Sequence, residues 1–146
     1  MKVVVSGEVA ASPEQVFDFL VHHENHAIIF AENVSCRRLD EGPLIVGARV
    51  ENVARVMGRT MVERFVITEL ERPRTIAKQS GAGSTFETTD RFDLEESPGG
   101  GTRVTVSVTG TPSGLGQRLI MPLLAPMMRR SLGRALDALA NALGPG

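Results

Sequence analysis

Between about residue 33 and residue 109 the sequence alternates β-rich runs with turn signals, and this alternation limits the fold more than any other feature. The runs are NVSCRRL, ARVENVARV, TMVERFVITEL, TIAKQS, STFETTDRFDLE and TRVTVSVTG; DEGP, MGR, ERPR, GAG and SPGGG mark the turns. Parallel strands need crossovers of a dozen or more residues, and no connection here offers one. The pattern therefore predicts an antiparallel meander of six strands, with Gly58 in a hairpin turn. In the last run Val104, Val106 and Val108 alternate with polar residues, as a half-buried strand requires. VVVSGEV, residues 3 to 9, is β-branched and adds a seventh strand.

Two helical segments flank the meander. In SPEQVFDFLV, Ser12 is a candidate N-cap, Pro13 suits the first helical position, and Gln15 completes a capping box. Val16, Phe17, Leu20 and Val21 recur at helical spacing and predict a buried face. At the other end Met121, Ala125, Met128, Leu132, Leu136, Leu139 and Leu143 form one apolar stripe, with Leu124 beside it. Pro122 and Pro126 are expected to bend or interrupt the first part of this long helix. Arg118, Arg129, Arg130 and Arg134 fall mostly off the stripe and read as a solvated face rather than a membrane-docking one. The expected fold is α+β: a curved antiparallel sheet of about seven strands wrapped on a long C-terminal helix, with two short helices after the first strand. A twisted sheet covered by one helix leaves space between the two, a natural small-molecule cavity.

A chain of 146 residues suits one domain, here 1–146. A formal net charge of -1 gives no drive toward nucleic acid. Cys36 is the only cysteine, so no intrachain disulfide forms. MKVVVSGEVA lacks the apolar core of a signal peptide, and LIMPLLAPMM is too short and too proline-rich to span a bilayer. The expectation is a soluble cytoplasmic protein, monomer or homodimer, without stable membrane insertion. The absence of Trp and Tyr argues against recognition by aromatic stacking.

All three histidines lie in FLVHHENHAIIF. Zinc proteases use His-Glu-x-x-His on a helix, whereas Ala27 stands where His23-Glu24 would need the second histidine. His22 and His26 do have i, i+4 spacing, but no third ligand is indicated. No metal is expected; the stretch reads as a solvated helix connection, with His26 able to face a ligand at the cavity entrance.

The residues ASPEQVFDFLVHHENHAIIF, VGARV with the MG hairpin, VITELERPRTI, TTDRFDLE, GGGTRVTVSV and the Leu-rich final helix together resemble the START-like, Bet v 1-like superfamily. The resemblance is in particular to its bacterial polyketide cyclase/dehydrase group, over about residues 2 to 143. It implies a helix-grip fold and a family of lipid carriers, hormone receptors, ubiquinone-binding proteins and aromatase/cyclases. It also places the histidine stretch in a short second helix near the cavity mouth.

Strand alternation then sorts the candidate site. Met61, Glu63, Phe65 and Ile67 share one face. Phe86, Thr88, Asp90, Phe92 and Leu94 share another, and Val50, Asn52, Ala54 and Val56 a third. If these faces point inward, Asn52, Glu63, Asp90 and His26 can orient a polar group. Phe30, Val50, Ala54, Met61, Phe65, Phe86, Thr88, Met121, Leu124 and Met128 supply the walls. The expected function is binding or transport of a hydrophobic small molecule, a lipid, isoprenoid or polyketide-like compound, without a cofactor. The alternative is a cyclase or dehydratase with Glu63 or Asp90 as general acid/base.

Overall fold

The computed structural model describes residues 1–144 apart from 82, 83 and 85. The expected GAG turn therefore lies partly, and the GPG ending mostly, outside the described residues. The elements run β1 (Lys2–Val9), α1 (Pro13–Val21), a single 3-10 turn (His23–Asn25), α2 (His26–Ile29), β2 (Asn33–Arg38), β3 (Arg49–Val56), β4 (Arg59–Glu71), β5 (Thr75–Ser80), β6 (Glu87–Glu96), β7 (Thr102–Thr111) and α3 (Leu115–Leu143). The seven strands form one sheet in the order β1-β7-β6-β5-β4-β3-β2. Every pairing is antiparallel. The meander thus starts at the far edge with β2 and returns to β1, leaving β5 in the centre.

Local chemistry explains the boundaries. The Ser12 hydroxyl accepts from the Gln15 amide while the Gln15 side chain accepts from the Ser12 amide, closing the capping box. The β3–β4 hairpin turns through Met57 and Gly58, both at positive φ (53° and 78°), the backbone that a two-residue type I′ turn requires. Phe86 lies just before β6 rather than within it, since the strand starts at Glu87.

The two faces of the sheet are told apart by its charges. On the outer face Arg37, Glu51 and Arg64 sit opposite one another across β2, β3 and β4, and both arginines reach the Glu51 carboxylate at 3.0 Å. The next position along each strand must then point inward, which brings Cys36, Asn52 and Glu63 into one row. Further rows join Val50 with Phe65, Ile67 with Lys78 and Asp90, and Ile76 with Phe92 and Val106.

The main core lies at the β1 end. Val3, Val104, Val106, Phe92 and Leu94 from the sheet meet Val16, Phe17 and Leu20 of α1 and Leu132, Leu136 and Leu139 of α3. Full burial of a side chain such as Leu139 is worth about 1.5–3 kcal/mol. A smaller cluster of Ala48, Val50, Phe65 and Ile67 sits toward the β2 end. A bond of 2.7 Å from the Ser131 hydroxyl to Glu32 ties α3 to the loop before β2.

Part of the expectation about α3 needs correction. Pro122 and Pro126 do not interrupt it; the helix is continuous over 29 residues. Each ring removes one backbone donor, a loss the exposed first half of the helix tolerates because water can reach the freed carbonyls. The stripe buries Met121, Leu132, Leu136 and Leu139, yet Leu115, Leu119 and Leu123 on the opposite side of the first half remain exposed.

Candidate functional site

The inner face of the central strands carries polar groups where a plain core would be apolar. Lys78, in the middle of β5, is only 5 % exposed. Its ammonium nitrogen lies 4.5 Å from the centre of the Phe65 ring. Asp90 is its direct cross-strand partner. Above them the 3-10 turn and α2 contribute His23 and His26, each 2 % exposed. The expected solvated helix connection is therefore overturned for these two residues; the chain folds back so that both rings enter the interior, with centroids 4.6 Å apart.

Each ring is held through one nitrogen. His23 Nε2 donates to Asn52 Oδ1 at 2.5 Å, and His26 Nε2 donates to the Leu20 carbonyl at 2.8 Å. A carbonyl can only accept, so His26 Nε2 carries the proton and Nδ1 is left as a bare acceptor. Among the described residues that Nδ1 has no partner, and neither does the buried Oδ1 of Asp90. Buried polar atoms are nearly always hydrogen-bonded, so these two orphans call for a partner from outside the chain, a water or a ligand.

Burial governs the protonation states. It drives the His23 imidazole down to about 3, helped by the Lys78 charge and opposed by Asn52 and Glu24. It pushes His26 well below the ordinary histidine range, with Lys78 and His23 adding to the effect. The Asp90 carboxyl is raised by burial while Lys78 and the Thr88 hydroxyl pull it back. Lys78 is lowered by burial, with Asp90 and Cys36 opposing. Burial also raises the Cys36 thiol to about 11, so Cys36 is a neutral thiol here.

These groups surround a cavity. His23, His26, Lys78 and Asp90 supply its polar wall; Leu20, Leu44, Ile67, Ile76 and Phe92 supply the apolar one. The space open to the centre of a water molecule is about 10 Å³, room for roughly one water. The walls come from α1, α2, the turn between them, β4, β5, β6 and the loop carrying Leu44. No α3 residue lines it, which differs from the expected space between sheet and C-terminal helix. The reason is the position of α3, whose buried residues pack on the β1 end of the sheet.

Of the residues singled out from sequence, His26 and Asp90 line this cavity. Asn52 stands behind it, fixing His23. Glu63 is half-buried in the row beyond, opposite Asn52. Val50 and Phe65 are buried in the smaller cluster, and Phe65 also meets Lys78. Ala54 and Met61 pair across β3 and β4, farther along. Phe30 packs against His26 and Phe92. Phe86 and Thr88 are half-buried at the start of β6. Met121 is buried near Gly110, while Leu124 and Met128 are half-buried on α3. Sequence reasoning missed Lys78 and His23. Alternation from Ile76 would have pointed Lys78 inward, and nothing local signals the burial of His23. Among the described residues no group of three His, Cys, Asp or Glu side chains is placed to hold a metal ion.

Residues 1–144 match the family described as polyketide cyclase / dehydrase and lipid transport. No curated protein matches the sequence. Several solved structures share the fold. A protein from Thermus thermophilus, TTHA0849, is 18% identical with a TM-score of 0.81, over 98% of this chain and 97% of that one. The Zhui aromatase/cyclase from a Streptomyces species is 17% identical with a TM-score of 0.80, over 98% and 93%. A START superfamily protein from Mycobacterium smegmatis is 20% identical with a TM-score of 0.68, over 97% and 93%. At these identities the likeness is one of fold, the helix-grip arrangement of curved sheet and long C-terminal helix. No helix among the described residues is long and apolar enough to cross a membrane.

Proposed function

Because this chain belongs to the polyketide cyclase / dehydrase and lipid transport family, we propose that it binds a small, mainly apolar molecule with one oxygen-bearing end. The observation that carries this reading is the pair of orphaned polar atoms, His26 Nδ1 and Asp90 Oδ1, facing a mostly apolar cavity. A ligand hydroxyl or protonated carboxyl would satisfy the imidazole acceptor, and a ligand carbonyl would accept from Lys78 or a protonated Asp90. The apolar body would gain about 25 cal/mol for each Å² it buries. Room for one water cannot hold such a molecule, so the walls must part. Leu44 is the one lining residue on a loop, and we read it as the movable part. A lipid, isoprenoid or polyketide-like compound fits this description. The whole chain, 1–146, is read as one domain serving this site.

One observation favours a second reading, a cyclase or dehydratase. Asp90 is held toward its protonated form beside a lysine, which suits a group that gives a proton to a carbonyl. Glu63 does not line the cavity and is the weaker candidate.

The test is native mass spectrometry of freshly purified protein, followed by solvent extraction and identification of whatever is released. A discrete adduct, lost in Asp90→Leu and His26→Phe, supports binding. A clean mass, with no thermal shift against lipids, isoprenoids and polyketides, would sink it. Retained binding with lost turnover in Asp90→Asn would favour the enzyme.

A further inference from the structure

The sequence holds two lysines, Lys2 and Lys78; its other fourteen basic residues are arginines. Arginine serves the surface, and the nine ion pairs seen among the described residues all take their cation from arginine. The one interior cation position among the described residues is instead a lysine, and the difference is chemical. An arginine cannot lose its proton in a protein, whereas a lysine in an apolar site can, and then becomes a nucleophilic amine.

The surroundings of Lys78 agree with that use. It sits on the central strand of the sheet and is only 5 % exposed. Among the described residues no salt bridge or hydrogen bond reaches its nitrogen; Phe65 lies beneath it instead. The acid opposite it is Asp90, in a register that sets directly opposed Cβ atoms about 4.5–5.5 Å apart. Both side chains open on the cavity, and one Asp90 oxygen is unpartnered there. The other titratable groups that face the amine's cavity are His23 and His26, both held neutral by burial.

We infer that Lys78 forms an imine with an aldehyde or ketone that enters this cavity, with Asp90 as the proton carrier. The inference rests on the ligand-binding reading above and names the ligand's reactive end as a carbonyl. The neutral amine adds its lone pair to the carbonyl carbon, and Asp90 gives its proton to the oxygen. The carboxylate then takes a proton from the nitrogen, leaving a carbinolamine and a restored acid. Asp90 next protonates the departing hydroxyl; water leaves and the C=N bond forms. The product is an iminium paired with the Asp90 carboxylate, or the neutral imine once that carboxylate takes the nitrogen proton back. No oxidant or reductant is required.

The full chain would be incubated near neutral pH with a series of short aldehydes and ketones, from acetaldehyde and acetone to hexanal, with sodium cyanoborohydride to trap any imine. Intact mass and peptide mapping then locate the adduct. Because burial lowers the Lys78 pKa and so raises the share of neutral amine, Lys78 should be alkylated faster than the exposed Lys2. The adduct should vanish in Lys78→Met, and alkylation in urea should lose the preference for Lys78. Native mass spectrometry without the reductant, on wild type and Lys78→Met, reports non-covalent binding separately. Probes that bind but are trapped only at Lys2 and the amino terminus would overturn the imine and leave the binding reading standing. Probes that neither bind nor react would overturn both.

Discussion

Lowering the pH from about 7.5 to about 5 is expected to destabilise the protein through imidazoles that the fold keeps neutral. His23 titrates at about 3 when folded and near 6.5 when exposed. Between those values the unfolded chain binds the extra proton, so stability falls as pH falls, and it is fully present only above about 6.5. Each pH unit in that window costs about 1.4 kcal/mol, so at about pH 5 His23 alone removes about 2 kcal/mol. His26 acts in the same direction, its folded value being depressed by burial as well. Asp90 acts in the opposite sense, since its raised folded value favours the protonated native state as pH falls. Glu8, Asp18, Glu24, Asp40 and Glu51 are lowered from values already below about pH 5, so they titrate mainly under this window. His23→Gln isolates one contribution, because the amide can still donate to Asn52 and does not titrate. Urea unfolding followed by circular dichroism at both pH values is the assay. With an m value of about 2 kcal/mol/M, the variant's midpoint should drop by about 1 M less than that of the wild type. An equal drop in both proteins would refute the assignment of His23 as a buried neutral group.

Three further outcomes follow from the packing. Leu139→Ala removes a fully buried side chain from the main core and should cost about 2–5 kcal/mol in chemical denaturation. At Gly101 an added Cβ would lie 2.7 Å from the Val9 carbonyl, so Gly101→Ala forces backbone to move and should cost about 1–3 kcal/mol, read as a melting point lower by several degrees. Ser12→Ala leaves the first turn of α1 uncapped and should cost about 1 kcal/mol, with ligand binding unchanged.

The fold was legible wherever a local rule applied. Ser12, Pro13 and Gln15 announce α1 because capping is chemistry among near neighbours. The strands were legible because tight turns permit only antiparallel pairing, and the inward faces of β3, β4 and β6 followed from their apolar partners. The site was legible only in part. The burial of His23 depends on Asn52, 29 positions away, and no local pattern predicts that meeting. Lys78 is hard to place because lysine is almost never fully buried, although alternation from the apolar Ile76 points it inward, toward its partners Ile67 and Asp90. The cavity was misplaced because one apolar stripe on α3 does not say which end of a seven-stranded sheet it will cover.

The strand order has a consequence for the order of synthesis. From β2 onward each strand pairs with the one made just before it, so the meander can assemble as the chain emerges. β1 cannot join in that way. Val3 pairs with Val108, and the inner face of β1 is completed by α3. The strand translated before all the others in this sheet is therefore the last to find its neighbours. Contacts this distant in sequence are slow to form, and an unpaired strand is prone to wrong partners meanwhile. The run from Val3 to Val5 is thus the stretch a nascent chain most needs to keep out of other pairings until β7 and α3 arrive.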